Sequence, residues 1–308
     1  MCSRTLILSG TRQDKWNAIG QALNKTKAAV LALQETHLTN ELAGSINSRF
    51  ETRLSLHHSP LPNTSNTAGV AFMINKNLLN SDSVSCVEVV PGRAILADVK
   101  WIRGTSLKIL NVYAPNNTND NEAFWNDLNT KLMSNPDLKL NIMLGDFNLV
   151  EDGLDRLPCH PDDANMVAAL GDLKSNLYLV NRWRRMYPNK RGYTHLHVAN
   201  TSQSRIDCIY IVNDLLQPAR DWHIDPPLVE LDHWIASVKV STPEIPELGR
   251  GRWQIPTYLI YNNKILTEVD RLGKKAEGDI DSMRHRRSAT QNLQTILAKL
   301  KKDIISIY

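Results

Sequence analysis

Short apolar runs recur along the chain, each closed by a glycine, a proline or a polar residue. Ala28 to Leu33, Gly69 to Ile74, Ala94 to Trp101, Leu107 to Val112, Ile142 to Leu144 and Ile235 to Val240 are too short for capped helices and read as buried strands. Further strands are expected at Thr5 to Leu8, Leu177 to Val180, Tyr193 to Val198 and Arg205 to Val212. The turn Arg103-Gly104-Thr105 pairs two of the runs as neighbours. Helical spacing separates the strands. Asp14 to Asn24 places Trp16, Ile19 and Leu23 on one face, and Glu122 to Met133 places Phe124, Trp125, Leu128 and Leu132 inward. A third helix is expected over Asp162 to Leu173, and the Ser-, Asn- and Pro-rich stretch from Phe50 to Thr67 reads as loop.

The pattern changes at Pro243-Glu244-Ile245-Pro246-Glu247-Leu248-Gly249, which predicts a body over 1–242 and a linker with an amphipathic helical tail over 243–308. Ile265, Val269 and Leu272, then Leu293, Ile296, Leu300 and Ile304, recur at helical spacing in that tail. Charge follows the same division. Residues 247–308 hold 12 Lys/Arg and 7 Asp/Glu, against 24 and 25 in residues 1–246. A near-neutral body with a basic tail suits a polyanionic partner. No apolar run approaches a membrane span, so no membrane partner is expected. The N-terminal apolar stretch is short for a signal peptide, and the four dispersed cysteines form no Cys-x-x-Cys pair. An intracellular protein without structural zinc is expected.

The chemistry lies at the ends of the strands. Leu138 to Asn148 is the clearest case. An apolar strand stops at Gly145, and Asp146 and Asn148 follow at a spacing that would project both from an extended chain to one side. The pattern returns at Glu35, at Tyr113 before Ala114-Pro115, at Asp207, and at Asp232-His233. A single acid after a strand is an ordinary solvated side chain. Five polar groups in series at strand edges are the layout of a site at one edge of a sheet.

Leu33-Gln34-Glu35-Thr36-His37, Asn111-Val112-Tyr113-Ala114-Pro115, Gly145-Asp146-Phe147-Asn148, Ser204-Arg205-Ile206-Asp207 and Asp232-His233 resemble, in order and spacing, the motifs of the endonuclease/exonuclease/phosphatase superfamily. Within it they are most similar to the endonuclease domains of non-LTR retrotransposons. The resemblance implies a four-layer α/β sandwich, two packed mixed β-sheets flanked by helices, with a helical C-terminal tail added here. It implies Mg²⁺-dependent hydrolysis of phosphodiesters (Mn²⁺ as a substitute), DNA as partner, no small organic cofactor, and a nuclear location if chromosomal DNA is cut. By the same resemblance Glu35 holds the metal and Asp146 activates or positions water, with Asn148 orienting it. His233 contacts the phosphate with Asp232 fixing its tautomer, Asp207 acts near the leaving group, and Tyr113 bonds the phosphate. Thr194 and Arg156 match substrate-side positions. Gly249-Arg250-Gly251-Arg252-Trp253 resembles the connector toward a reverse transcriptase, though no Asp-Asp polymerase motif follows it. One departure is plain: the family's first-strand Asn is replaced by Ile7 or Ser9 in Leu6-Ile7-Leu8-Ser9-Gly10. The alternatives are a phosphatase of the same fold, or a decayed fragment that binds nucleic acid without turnover.

Overall fold

The structure is a computed structural model and describes residues 12–62, 68–100, 106–197, 202–226, 232–241, 262–283, 288, 290 and 292–306. The expected strand at Thr5 to Leu8 with Ile7 and Ser9, the turn at 103–105, and the linker at 243–261 lie outside them. The chain divides into two compact units, Met1–Pro243 and Glu244–Tyr308.

In the first unit the elements run α1 (Arg12–Thr26), β1 (Val30–Leu33), α2 (Asn40–Phe50), β2 (Leu54–Ser59), β3 (Val70–Asn75), β4 (Val84–Val90), β5 (Ala94–Lys100), β6 (Ser106–Tyr113), α3 (Thr118–Ser134), β7 (Ile142–Asp146), β8 (Arg156–Leu157), α4 (Ala164–Asn176), β9 (Leu179–Val180), α5 (Arg182–Met186), β10 (His195–His197), β11 (Ser202–Ser204), β12 (Asp207–Val212), β13 (Ala219–Asp225) and β14 (Ile235–Val240). The second unit holds α6 (Asn263–Ser282) and α7 (Leu293–Ile305). Among the described residues no helix is long and apolar enough to cross a membrane.

Alternation along the strands builds the layers. The largest sheet has the order β4-β5-β6-β7-β12-β9, and β6–β7 is its parallel pair. On β6, Leu110 and Val112 face α3 and α4, sharing a core with Trp125, Leu128 and Leu170. Leu107, Ile109 and Tyr113 face the opposite way, into a central core with Val70, Phe72 and Ile74 of β3 and Trp222 of β13. The sheet β1-β3-β2 and the ribbon β13–β14 supply that second layer. Ala71 and Met73, on the other face of β3, pack under Trp16, Ile19 and Leu23 of α1 and Ile46 and Phe50 of α2. Three cores between helix, sheet, sheet and helix make the four-layer sandwich that the motifs imply. A small third sheet, β10-β11-β8, stands apart from these layers.

The stretch read as loop from Phe50 onward contains β2, whose Leu54 and Leu56 are buried while Ser55 and His57 are not. Six elements carried no expectation: α2, β4, β8, α5, β11 and β13. Helix α3 starts earlier than its apolar spacing suggests, because the Asn117 side chain accepts from the Asn119 and Asp120 N–H groups and caps it. β9 is shorter than expected, because Tyr178 turns the chain with φ 55°.

Candidate active site

Strand register assembles the centre of the site. β6 and β7 pair with Tyr113 opposite Asp146, and β7 and β12 pair with Asp146 opposite Asp207. Neighbouring strands lie about 4.8 Å apart, so the three polar residues form a row along one end of the sheet. Gly145 makes this possible. Its φ is +139°, and a Cβ there would sit 2.0 Å from the Val112 carbonyl oxygen on the adjacent strand.

Asn148 does not project from an extended strand beside Asp146. The strand ends at Asp146, and Asn148 adopts φ 48°. Its backbone N–H donates to Asp146 Oδ1 at 2.9 Å, and its side-chain amide donates to the Ala114 carbonyl at 2.8 Å. The two residues are joined by a tight turn.

Glu35 comes from the other sheet, and Asn111 ties the two sheets together. Fully buried, Asn111 donates to the Leu33 and Ala71 carbonyls at 3.0 Å each and accepts from Gln34 Nε2 at 2.6 Å. One residue after Gln34, Glu35 turns with φ 49°, held by the flanking bonds from Thr36 N–H to the Gly69 carbonyl and His37 N–H to the Ala68 carbonyl. Two residues after Asn111, the Tyr113 hydroxyl donates to Glu35 Oε1. The Arg93 guanidinium lies over the Tyr113 ring, 4.7 Å from its centroid.

His233 closes the other side. Its Nδ1 lies 2.8 Å from Asp207 Oδ2. The imidazole is therefore oriented by Asp207, across the sheet end, and not by the adjacent Asp232 as expected. The Asp232 carboxylate instead lies 3.9 Å from Nε2 of His195. Thr194, expected against substrate, is fully buried, and its hydroxyl accepts the Asp207 N–H at 3.0 Å. It positions Asp207 from beneath. Arg156 lies opposite Ser204 in the small sheet, and both its terminal nitrogens are engaged by the Asp162 carboxylate. His195, opposite Ser204 on the other side, was passed over in the sequence. The alternation of Tyr193 to Val198 marked a strand, but nothing in it placed His195 against His233.

Burial and crowding set the protonation states. Burial, then the neighbouring Asp207 carboxylate, push the Asp146 carboxyl up to about 7. Burial acts to lower His233, but Asp207, through its charge and hydrogen bond, and Asp146 outweigh it and raise the imidazole to about 9. Burial and the Glu35 contact raise Tyr113 far above the ordinary phenol range, so its hydroxyl stays a donor. The donors of Glu35, Asp146 and Asp207 are oxygens, and burial leaves the Asp146 carboxyl protonating near neutrality. Such a set fits a hard divalent cation of the Mg²⁺ class. Asp146, Asp207 and His233 present ligand atoms within 4.8 Å of one another.

Residues 10–241 match the Endonuclease/Exonuclease/phosphatase family. The chain belongs to this family. A protein of transposon TX1 from Xenopus laevis is 30% identical over 244 residues, 78% of this chain but 17% of that protein's length. Among solved structures, the AP endonuclease LMAP of Leishmania major superposes with a TM-score of 0.63 at 15% identity, over 75% of this chain and 84% of that one. The endonuclease domain of TRAS1, a telomere-specific non-LTR retrotransposon, does so with a TM-score of 0.54 at 16% identity, over 74% and 93%. These structural likenesses establish the fold. The family unites enzymes that hydrolyse phosphate esters.

Proposed function

We propose that the chain is a Mg²⁺-dependent DNA endonuclease of retrotransposon type that nicks one phosphodiester at a time. The observation that carries the reading is the row Tyr113–Asp146–Asp207–His233 at one sheet end with Glu35 opposite, an acid near neutrality beside a cationic imidazole. The curated relative from a transposon favours a nucleic-acid substrate over a small phosphate ester.

Asp146, raised to about 7, is matched to taking a proton from attacking water. The turn through Asn148 fixes its carboxylate. His233, cationic at neutral pH, offers Nε2–H to a phosphate oxygen while Asp207 holds its other nitrogen. The Tyr113 hydroxyl, neutral throughout, can pass from Glu35 to a phosphate oxygen. Glu35 with the neighbouring carboxylates would hold the cation, which supplies charge neutralisation on the phosphate.

Nicking of supercoiled plasmid tests the reading. Open circles should form with Mg²⁺, vanish with EDTA, and vanish in Asp146→Asn and His233→Ala. Release of phosphate from a 3′-phosphorylated strand without any nicking would make it a phosphatase. DNA binding without turnover would make it a decayed site.

A further inference from the structure

The site described above uses one face of His233 and leaves a second cluster beside it. The His195/His233 pair belongs to an isolated antiparallel bridge. Its hydrogen bonds run between the flanking residues, from Trp234 N–H to the Thr194 carbonyl at 2.6 Å and from Leu196 N–H to the Asp232 carbonyl at 3.1 Å. His195 and His233 are thus the non-hydrogen-bonded kind of pair, with Cα atoms about 4.5 Å apart and side chains on one face. Their ring centroids are 4.6 Å apart. The Asp232 carboxylate lies 3.9 Å from His195 Nε2, and the three residues present ligand atoms within 4.8 Å of one another.

We infer that His195, Asp232 and His233 form a site for a borderline divalent cation of the Zn²⁺ class, and that filling it switches the phosphate-facing imidazole off. Two imidazoles and one carboxylate are a zinc donor set, whereas Mg²⁺ prefers oxygens. Ligand atoms on a tetrahedral Zn²⁺ stand roughly 3.4 Å apart, a modest closure for three half-buried side chains. His233 is prepared for ligation, since Asp207 occupies Nδ1 and leaves Nε2 for the metal. A carboxylate holding the far nitrogen of a ligating histidine fixes its orientation and raises its basicity. Three protein ligands leave a fourth position open to water. The cation displaces the Nε2 proton to solvent and takes the lone pair so freed, so the N–H that faces phosphate is lost. Binding stands on this geometry alone, while the inhibitory consequence rests on the nuclease reading.

The test uses the full chain. Zn²⁺ titration by calorimetry, and Co²⁺ titration read by visible absorption, should show one saturable site that persists in excess Mg²⁺. His195→Ala and the milder His195→Gln should abolish that site, with folding checked by circular dichroism. Asp207→Asn should weaken it about 10–100-fold. In nicking assays Zn²⁺ should inhibit the parent chain against excess Mg²⁺ and spare His195→Gln, whose Mg²⁺-supported nicking is retained. Equal Zn²⁺ binding by parent and both His195 variants, or displacement by Mg²⁺, overturns the site. Binding that depends on His195 but leaves nicking untouched overturns the switch. If the parent never nicks, the titrations alone decide the site and the nuclease reading fails separately.

Discussion

Asp146 is placed where a carboxylate is least comfortable, buried at a sheet end with Asp207 directly opposite. The folded protein holds its proton up to about 7, whereas an unfolded chain releases it near 3.8. Between those values the folded state binds more protons, so stability falls as pH rises from about 4 to about 7 and then levels. Asp146→Asn removes the ionisation and keeps an acceptor for the Asn148 N–H. In EDTA, the variant should match the parent near pH 4 and exceed it above pH 7, by on the order of 2–4 kcal/mol, while nicking is lost. Urea denaturation across that range checks it; a variant weaker than the parent at pH 8 would show that crowding is not what raises the group. His233 has the same sign in a higher pH window. Its raised value gives stability that is whole below 6.5 and is lost as pH rises through about 9. The alkaline limb of nicking should lie near 9 and fall toward 6.5 in Asp207→Asn, as a pH–rate profile would read. At this scale the sequence was informative about which residues matter, because Glu35, Tyr113, Asp146 and Asp207 each adjoin an apolar run. It was silent on who holds whom. Asp207 and His233 meet only through folding, so adjacency wrongly favoured Asp232 as the partner.

Elements are locked to one another at two positions that carry no chemistry. At Gly145 any side chain would drive into the Val112 carbonyl at 2.0 Å, in a backbone region closed to L-residues. Gly145→Ala should separate β6 from β7, costing on the order of 3 kcal/mol or more, and take Tyr113 out of line with Asp146. Asn111 is the matching lock between sheets. Asn111→Leu strips partners from the Leu33 and Ala71 carbonyls and from the Gln34 amide. Each buried polar group so left costs about 1–3 kcal/mol, and Glu35 loses its fixed distance from Tyr113. Thermal melts should show both losses; an Asn111→Leu protein melting with the parent would remove the lock from the account. The strands flanking these locks were readable because both their faces are apolar. The elements missed are those that bury little. α2 inserts only Ala43, Ile46 and Phe50. β4 forms a sheet edge interrupted by a bulge, and β13 carries a register shift among charged residues. Their hydrophobic signal is diluted by solvent-facing positions, so periodicity alone passes over them.

Across the whole molecule, periodicity could say that strands are buried on two faces but not which sheet covers which. That choice is made by pairings distant in sequence, such as β7 with β12. The charge division was visible without any structure, and it carries the last prediction. Residues 1–246 hold 24 basic and 25 acidic residues, so the body has no net attraction for a polyanion. The tail must supply any long-range pull. Within α6, Arg271 and Lys274 already pair with Glu268 and Asp270 in solvent. In α7, by contrast, Lys299, Lys301 and Lys302 are exposed on a helix whose acid is Asp303 alone. If these lysines contact phosphates, each releases condensed counterions and adds about 0.9 to the steepness with which affinity falls on a log–log salt plot. Replacing all three by Gln in the full chain should then shallow the slope by up to about 2.7, while Mg²⁺-supported nicking at low salt and saturating enzyme persists. Fluorescence anisotropy with a duplex over a salt series reads the slope directly. An unchanged slope would assign α7 to a solvated helix with no part in DNA binding, and the pull on the polyanion would have to come from the tail's other Lys and Arg residues or from local fields within the near-neutral body.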